Sequence, residues 1–312
     1  MLLKRYTVSG ILSLIEKTRT RGKVKNCVRC VWVGLLASVF FVFTMVYPVE
    51  SADYIAYQAT GIVIDGTPDE FAWDDVSKSP LFSDIETGEA AWLESRSAVL
   101  WNEQYLFIAF WLEEPDVRAF LRNRDDKIYL DNDVEVFIDG DDCYYELELN
   151  AFGTLYEVFW IWDDVIEMSR FWSPEFDSTV QRVMKLNGIG DHKHPRGMRT
   201  GFLDWDMPGI QWSVNVNGTI NNSSDTDVGW TVEIAIPWQA LTPLAGKRSL
   251  PPRDGDIWRI DCSRFQQYGI DGRKLERPAG WVWKMHKAFD SHMPEMFPRI
   301  LFSTEVVGEI AR

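Results

Sequence analysis

Residues 133–150, DVEVFIDGDDCYYELELN, put acidic side chains at alternate positions on both sides of a short turn. Val134, Val136 and Ile138 alternate with Asp133, Glu135, Phe137 and Asp139. After Gly140-Asp141-Asp142-Cys143 the alternation resumes, with Tyr145, Leu147 and Leu149 against Tyr144, Glu146, Glu148 and Asn150. Period-two alternation marks a strand with one buried face, and a loop of about four residues closes such strands into a hairpin. The expected register sets Val136 opposite Leu147 and Val134 opposite Leu149. It also sets Glu135 opposite Glu148 and Phe137 opposite Glu146. Like charges facing each other across an antiparallel pair repel. That face therefore calls for a compensating cation, an arginine neighbour or a ligand rich in hydroxyls.

Carboxylates on a strand suit the hydroxyls of a sugar. Glu135, Glu146 and Glu148 lead this set, with Glu233 and Asp261 on other polar faces. Arg259 is the expected charge compensator, because a guanidinium pairs with carboxylates in bidentate fashion. A solvated face or an Arg–carboxylate network is the competing reading. Paired glutamates also resemble a glycosidase pair, in which carboxyls stand about 5 Å apart or more. A sheet with several glutamates meets that spacing without catalytic purpose. No G-x-S-x-G, H-E-x-x-H or phosphate loop occurs.

The oxygen-rich turns Asp131-Asn132-Asp133 and Asp139-Asp141-Asp142 are candidates for calcium, through Asp131 and Asp133 first. Neither has EF-hand spacing, and ordinary turn chemistry also accounts for them. His192 and His194 form an exposed pair or a transition-metal pair. Fifteen tryptophans exceed what a core needs. Trp160, Trp162, Trp172, Trp205, Trp281 and Trp283 are candidate platforms for the apolar face of a pyranose, with core packing as the alternative. Trp101, Trp230 and Trp258 sit on alternating apolar faces and belong to the core.

The net charge of −15 excludes nucleic acid as a partner. Eight bases and one acid fall in residues 1–30, and residues 31–47 are uncharged, VWVGLLASVFFVFTMVY. This is the pattern of a secretory signal peptide cleaved near Ser51 or Ala52, or of an uncleaved signal anchor. A membrane is a partner only through that anchor. Either way the folded part, residues 52–312, is expected to be exported, periplasmic or extracellular, with 24 bases against 45 acids. Cys27 and Cys30 have no second pair to complete a zinc site. Cys143 and Cys262 are either one disulfide or two buried thiols.

Strands that would carry these residues are expected at 60–65, 96–101, 105–112, 153–162, 211–217, 229–236, 256–265, 280–284 and 299–302, besides the hairpin. Residues 70–73, 117–124 and 239–241 suit short helical turns. Residues 163–209 are weakly periodic, with Pro174, Pro195 and Pro208, and form a long functional or mobile loop. Ten or eleven strands without a long helix make an all-β fold: one antiparallel, jelly-roll-like β-sandwich with long loops and a few short helical turns.

Several phrases, taken in order, resemble family 9 carbohydrate-binding modules: Ile64-Asp65-Gly66 with Asp69-Glu70 and Trp73; Leu100-Trp101 with Tyr105-Leu106; Glu114-Pro115-Asp116-Val117; and residues 131–139, DNDVEVFID. The match continues through Tyr145-Glu146-Leu147 with Asn150, residues 229–238 (GWTVEIAIPW), Trp258-Arg259 with Arg264, and Pro294-Glu295 with Phe297. The resemblance covers nearly all of residues 53–304. It implies a β-sandwich, non-catalytic sugar binding between two aromatic rings, and structural calcium in some members. By position Tyr129 is one clamp ring, Trp281 or Trp283 the other, and Glu135 the polar residue beneath. Glu148 stands where sugar-binding members carry an arginine. The expected function is thus an exported, non-catalytic protein recognising a poly- or oligosaccharide. The alternatives are an accessory or catalytic component of glycoside hydrolysis, or a haem-binding electron-transfer relative with His286, His292 or Met293 as axial ligand.

Overall fold

The computed structural model describes residues 51–308. The signal-peptide or anchor reading falls on residues outside these, and among the described residues no helix is long and apolar enough to cross a membrane. The chain runs β1 (Tyr54–Ala59), α1 (Phe71–Asp74), β2 (Ser83–Asp84), β3 (Ser95–Trp101), β4 (Tyr105–Glu113), β5 (Asp133–Asp139), β6 (Cys143–Asn150) and β7 (Leu155–Trp162). It continues through β8 (Val183–Leu186), β9 (Arg199–Phe202), β10 (Gln211–Asn217), β11 (Gly229–Pro237), α2 (Thr242–Ala245), β12 (Ile257–Tyr268), β13 (Lys274–Val282) and β14 (Arg299–Val307).

The strands form a sandwich of two layers. One has the order β10-β11-β4-β3-β1-β14, and the other β12-β5-β6-β7-β9-β8 with β13 and β2 beyond β12. The twelve-residue strand β12 belongs to both. Its start, Ile257 to Arg259, pairs with β14, and Ile260 to Phe265 pair with β5. A strand that changes layers in this way makes a corner of the sandwich. Between the layers Val134, Val136, Leu147 and Leu149 meet Val99, Ile108, Phe110 and Val232 in one apolar core. Trp101, Trp230 and Trp258 lie in it, almost wholly buried, as their alternating positions predict. Cys143 and Cys262 are buried free thiols.

The central hairpin has the expected register: Val136 faces Leu147, Glu135 faces Glu148 and Phe137 faces Glu146. Besides the short β2 and a β13 that runs Lys274–Val282 rather than 280–284, three regions differ from the sequence reading. The first strand is β1, not residues 60–65, and it pairs in parallel with both β14 and β3. Residues 60–66 instead wrap over β11, where the buried Glu233 carboxylate accepts from the N–H of Asp65 and Gly66 and from Trp73 Nε1. Residues 117–124 are irregular rather than helical. Asp131 Oδ2 takes the N–H of Phe120 (2.7 Å) and Leu121 (2.9 Å), which a helix would spend on its own carbonyls. Finally, residues 163–209 contain β8 and β9, which extend the second layer beyond β7.

Candidate functional site

The outward face of the second layer carries the acidic residues in cross-strand rows. Asn150, Asp133 and Phe265 form one row across β6, β5 and β12. The next holds Tyr156 of β7, then Glu148, Glu135 and Ser263. A third holds Val158, Glu146, Phe137 and Asp261. Their neighbours along each strand point into the core, so alternation alone concentrates the carboxyls on this side. Residues 184–189 and 289–292 fold over the rows. They leave a cavity of about 290 Å³ between them and the sheet.

Two ring pairs wall that cavity. Tyr129 and Tyr156 meet edge to face with centroids 6.0 Å apart, and Phe265 and Phe289 do so at 5.6 Å. Glu135, Glu146 and Glu148 form the floor, with Gln267, Ser291 and His292 beside them. Tyr129 is half-buried and fixed from two sides: its N–H donates to Glu148 Oε2 at 2.7 Å, and its carbonyl accepts from Gln267 Nε2 at 2.8 Å. Trp160 Nε1 donates to Glu146 Oε2 at 2.5 Å. Ser263 Oγ lies 3.3 Å from Glu135 Oε2.

Burial dominates the electrostatics. It pushes Glu146 up to about 7, against the pull of the Trp160 hydrogen bond and of Arg199. Burial and the Glu146 charge together hold Glu135 and Glu148 well above the usual carboxylate range. His292 is pushed down to about 3 by burial and by Arg199, so it is neutral in ordinary buffers. It shares a hydrogen bond of 2.9 Å with Tyr144 Oη and lies 3.6 Å from Glu146 Oε1. The floor thus presents carboxyl groups able to donate as well as accept, between aromatic walls.

Of the residues singled out in the sequence, Tyr129, Glu135, Glu146 and Glu148 meet at this cavity. Trp281 and Trp283 do not. Trp281 faces Arg264 across β12 and β13, and that parity turns both indoles into the core. Trp281 packs against Trp92 and Trp283 against Tyr54. Arg259 is not the compensator either. It lies where β12 has crossed to the first layer, and its guanidinium donates to the carbonyls of Glu295 and Phe297. Asp131 spends Oδ2 on Phe120, Leu121 and Asn150. Among the described residues no group of three or more His, Cys, Asp or Glu is placed to hold a metal. The histidines are engaged within the fold: His192 with Asp290, His194 with Glu295, and His286 with the Asp290 carbonyl.

Tyr156 and Phe265 were findable, since they extend the rows of Glu148 and Asp133. Phe289, Ser291 and His292 lie in irregular chain with no periodic signal. A larger open depression of about 650 Å³ marks the first layer around Trp111. There the Lys78 ammonium sits 3.7 Å above the Trp111 ring and covers the face that a planar ligand would use.

Residues 94–207 match the model of carbohydrate-binding family 9. Among curated proteins no sequence matches the chain. Among solved structures, a protein from Bacteroides uniformis ATCC 8492 proposed to bind carbohydrate is 16% identical with a TM-score of 0.49, over 81% of this chain and 100% of its own. A family 9 carbohydrate-binding module from Caldicellulosiruptor kristjanssonii in complex with cellotriose is 12% identical with a TM-score of 0.46, over 82% of this chain and 97% of its own. The same kind of module from that organism in complex with glucose is 12% identical with a TM-score of 0.46, over 83% and 98%.

Proposed function

We propose that this chain, a family 9 carbohydrate-binding-like protein through its residues 94–207, is exported and binds a poly- or oligosaccharide without cleaving it. The observation that carries the reading is the cavity itself: a carboxyl floor between two pairs of rings. The apolar face of a pyranose packs on aromatic rings while its rim hydroxyls seek polar partners. A volume of about 290 Å³ is at the small end of ligand sites, which start at roughly 300 Å³. It suits one sugar ring, with the rest of a chain outside. Export is supported by the basic and then apolar leader. A non-catalytic role is supported by the state of the acids. Glycoside hydrolysis needs one carboxylate ionised beside one protonated, whereas burial holds both Glu135 and Glu148 toward the protonated form.

Calorimetry of the exported chain against neutral and charged plant, algal and bacterial oligosaccharides tests this. At least one is expected to bind, and Tyr129→Ala is expected to weaken it by roughly tenfold, the worth of one stacking ring. Binding to none overturns the reading. A second variant acts from outside the cavity. A Cβ on Gly280 would stand 2.5 Å from Phe265 Cε1, closer than carbon atoms approach. Gly280→Val is therefore expected to tip the Phe265 ring into the cavity. Saccharide affinity should fall about tenfold while urea unfolding shows a loss of only about 1–2 kcal/mol.

A further inference from the structure

Two buried acids elsewhere in this fold are answered by an arginine. Arg264 lies 3.1 Å from Glu114, and Arg124 pairs with Glu157. The cavity floor is different. Glu135, Glu146 and Glu148, with Asp133 next to them on the same face of the sheet, are each at most 4% exposed. Among the described residues no lysine or arginine forms an ion pair with any of them; the partner in ion-pair range is His292, at 3.6 Å from Glu146, and burial keeps that imidazole neutral. Asp133 is the most telling of the four. It is fully buried, no side chain donates to either carboxylate oxygen, and the donor that bears on it is the backbone N–H of Phe265. Register puts it on the cavity side, beside Glu135 along β5 and opposite Phe265, which walls the cavity.

A buried acid short of donors costs a fold stability, and with four on one face the empty cavity holds Glu135 and Glu148 toward the protonated form; a bound cation is what would let them ionise. A neutral sugar supplies hydroxyls but no charge. The walls point the same way: the rings of Tyr129 and Tyr156 present π-faces and edges that attract an organic cation. A divalent metal is a poor occupant, since no three acids converge for coordination among the described residues and four of the walls are rings. We infer that the saccharide unit received by this cavity is cationic: a 2-amino-2-deoxyhexose with a free amino group, its ammonium seated beside Glu135 and Glu148, which line the cavity. This rests on the saccharide reading above and names the substrate class of that site.

Calorimetry at neutral pH with the exported chain separates the possibilities. The probes are oligomers of glucosamine, of N-acetylglucosamine and of glucose at equal length. The amine form is expected to bind roughly 10- to 100-fold tighter than the other two, the worth of one charge-assisted hydrogen bond. Glu135→Gln and Glu148→Gln keep the size and the acceptor oxygen and remove the charge. Each should shrink that preference at least about fivefold, with near-ultraviolet circular dichroism unchanged. Equal or tighter binding of the neutral oligomers overturns the cationic ligand and leaves the saccharide reading standing. An amine preference that both variants retain overturns the assignment to this floor. Binding of none of the three, together with silence across the wider oligosaccharide panel, overturns both readings.

Discussion

Replacing Arg264 by methionine is expected to destabilise the protein by roughly 3–5 kcal/mol, the cost of breaking a buried ion pair from one side. The guanidinium is wholly buried, and every N–H of its fork is used. Nη1 donates to Ser95 Oγ at 2.8 Å and to the Glu113 carbonyl at 2.9 Å. Nη2 donates to Glu114 Oε2 at 3.1 Å. With the Gln266 amide turned so that its oxygen faces the guanidinium, that oxygen accepts from Nη2 and Nε at 2.7 and 2.8 Å. Glu114 in turn accepts from Trp230 Nε1 (2.7 Å) and Asn132 Nδ2 (2.5 Å). Removing the cation leaves a carboxylate that burial already pushes upward. Its remaining route is to take up a proton. Urea unfolding at pH 7.5 reads the loss, and the double variant Glu114→Gln with Arg264→Met should recover at least about half of it. A loss under about 1 kcal/mol would mean that the pair is solvated and the account wrong. The same network bears on the cavity. Asn132 Oδ1 accepts from the N–H of Gln267 and Tyr268, and Gln267 holds the Tyr129 carbonyl, so saccharide binding should weaken with stability.

How far the sequence revealed this depends on what each residue's neighbours are. The hairpin was legible to the register, because its alternation is strict and its turn leaves one pairing. Trp230 and Trp258 were legible as core for the same reason. The face opposite was left open between a ligand-bearing face and a solvated one, and burial is what alternation could not tell: Glu135 and Glu148 lie under residues 184–189 and 289–292. Residues 187–189 and 289–292 follow no period, and side chains satisfy some of their backbone groups, as Asp290 takes the N–H of Ile189 and His292. Trp281 and Trp283 show the complementary limit. Spacing told that they share a face, but only the pairing of Trp281 with Arg264 tells which. Glu114, Asn132 and Arg264 appear in the sequence as separate phrases, and nothing local joins residues 150 positions apart.

The unliganded protein is expected to become more stable on acidification from pH 8 to pH 5. Glu146, Glu157 and Glu233 are each pushed up to about 7, chiefly by burial, and Asp139 and Asp261 to about 6. In the unfolded chain such groups titrate near about 4. Between those values the folded state holds more protons than the unfolded, so stability falls as pH rises. Their contribution is complete below about pH 4 and is lost as pH climbs through 6 and 7. His292 opposes this: below about pH 6.5 the unfolded chain gains a proton that the buried imidazole, titrating at about 3, refuses. That is one proton against several. Glu148→Gln isolates the cavity's share. Glutamine keeps an oxygen for the Tyr129 N–H and turns an amide toward Glu146, with which Glu148 already shares a hydrogen bond. The variant should be about 1–3 kcal/mol more stable than the parent at pH 8 and nearly equal to it at pH 5, while its preference for an amino sugar shrinks at least about fivefold. Urea midpoints read at both pH values in about 0.5 M salt, where surface repulsion is screened but buried acids are not, carry the test. A parent whose stability is flat or rises from pH 5 to pH 8 would show these carboxyls to be solvated or compensated, and the floor to be spent on the fold rather than kept for a ligand.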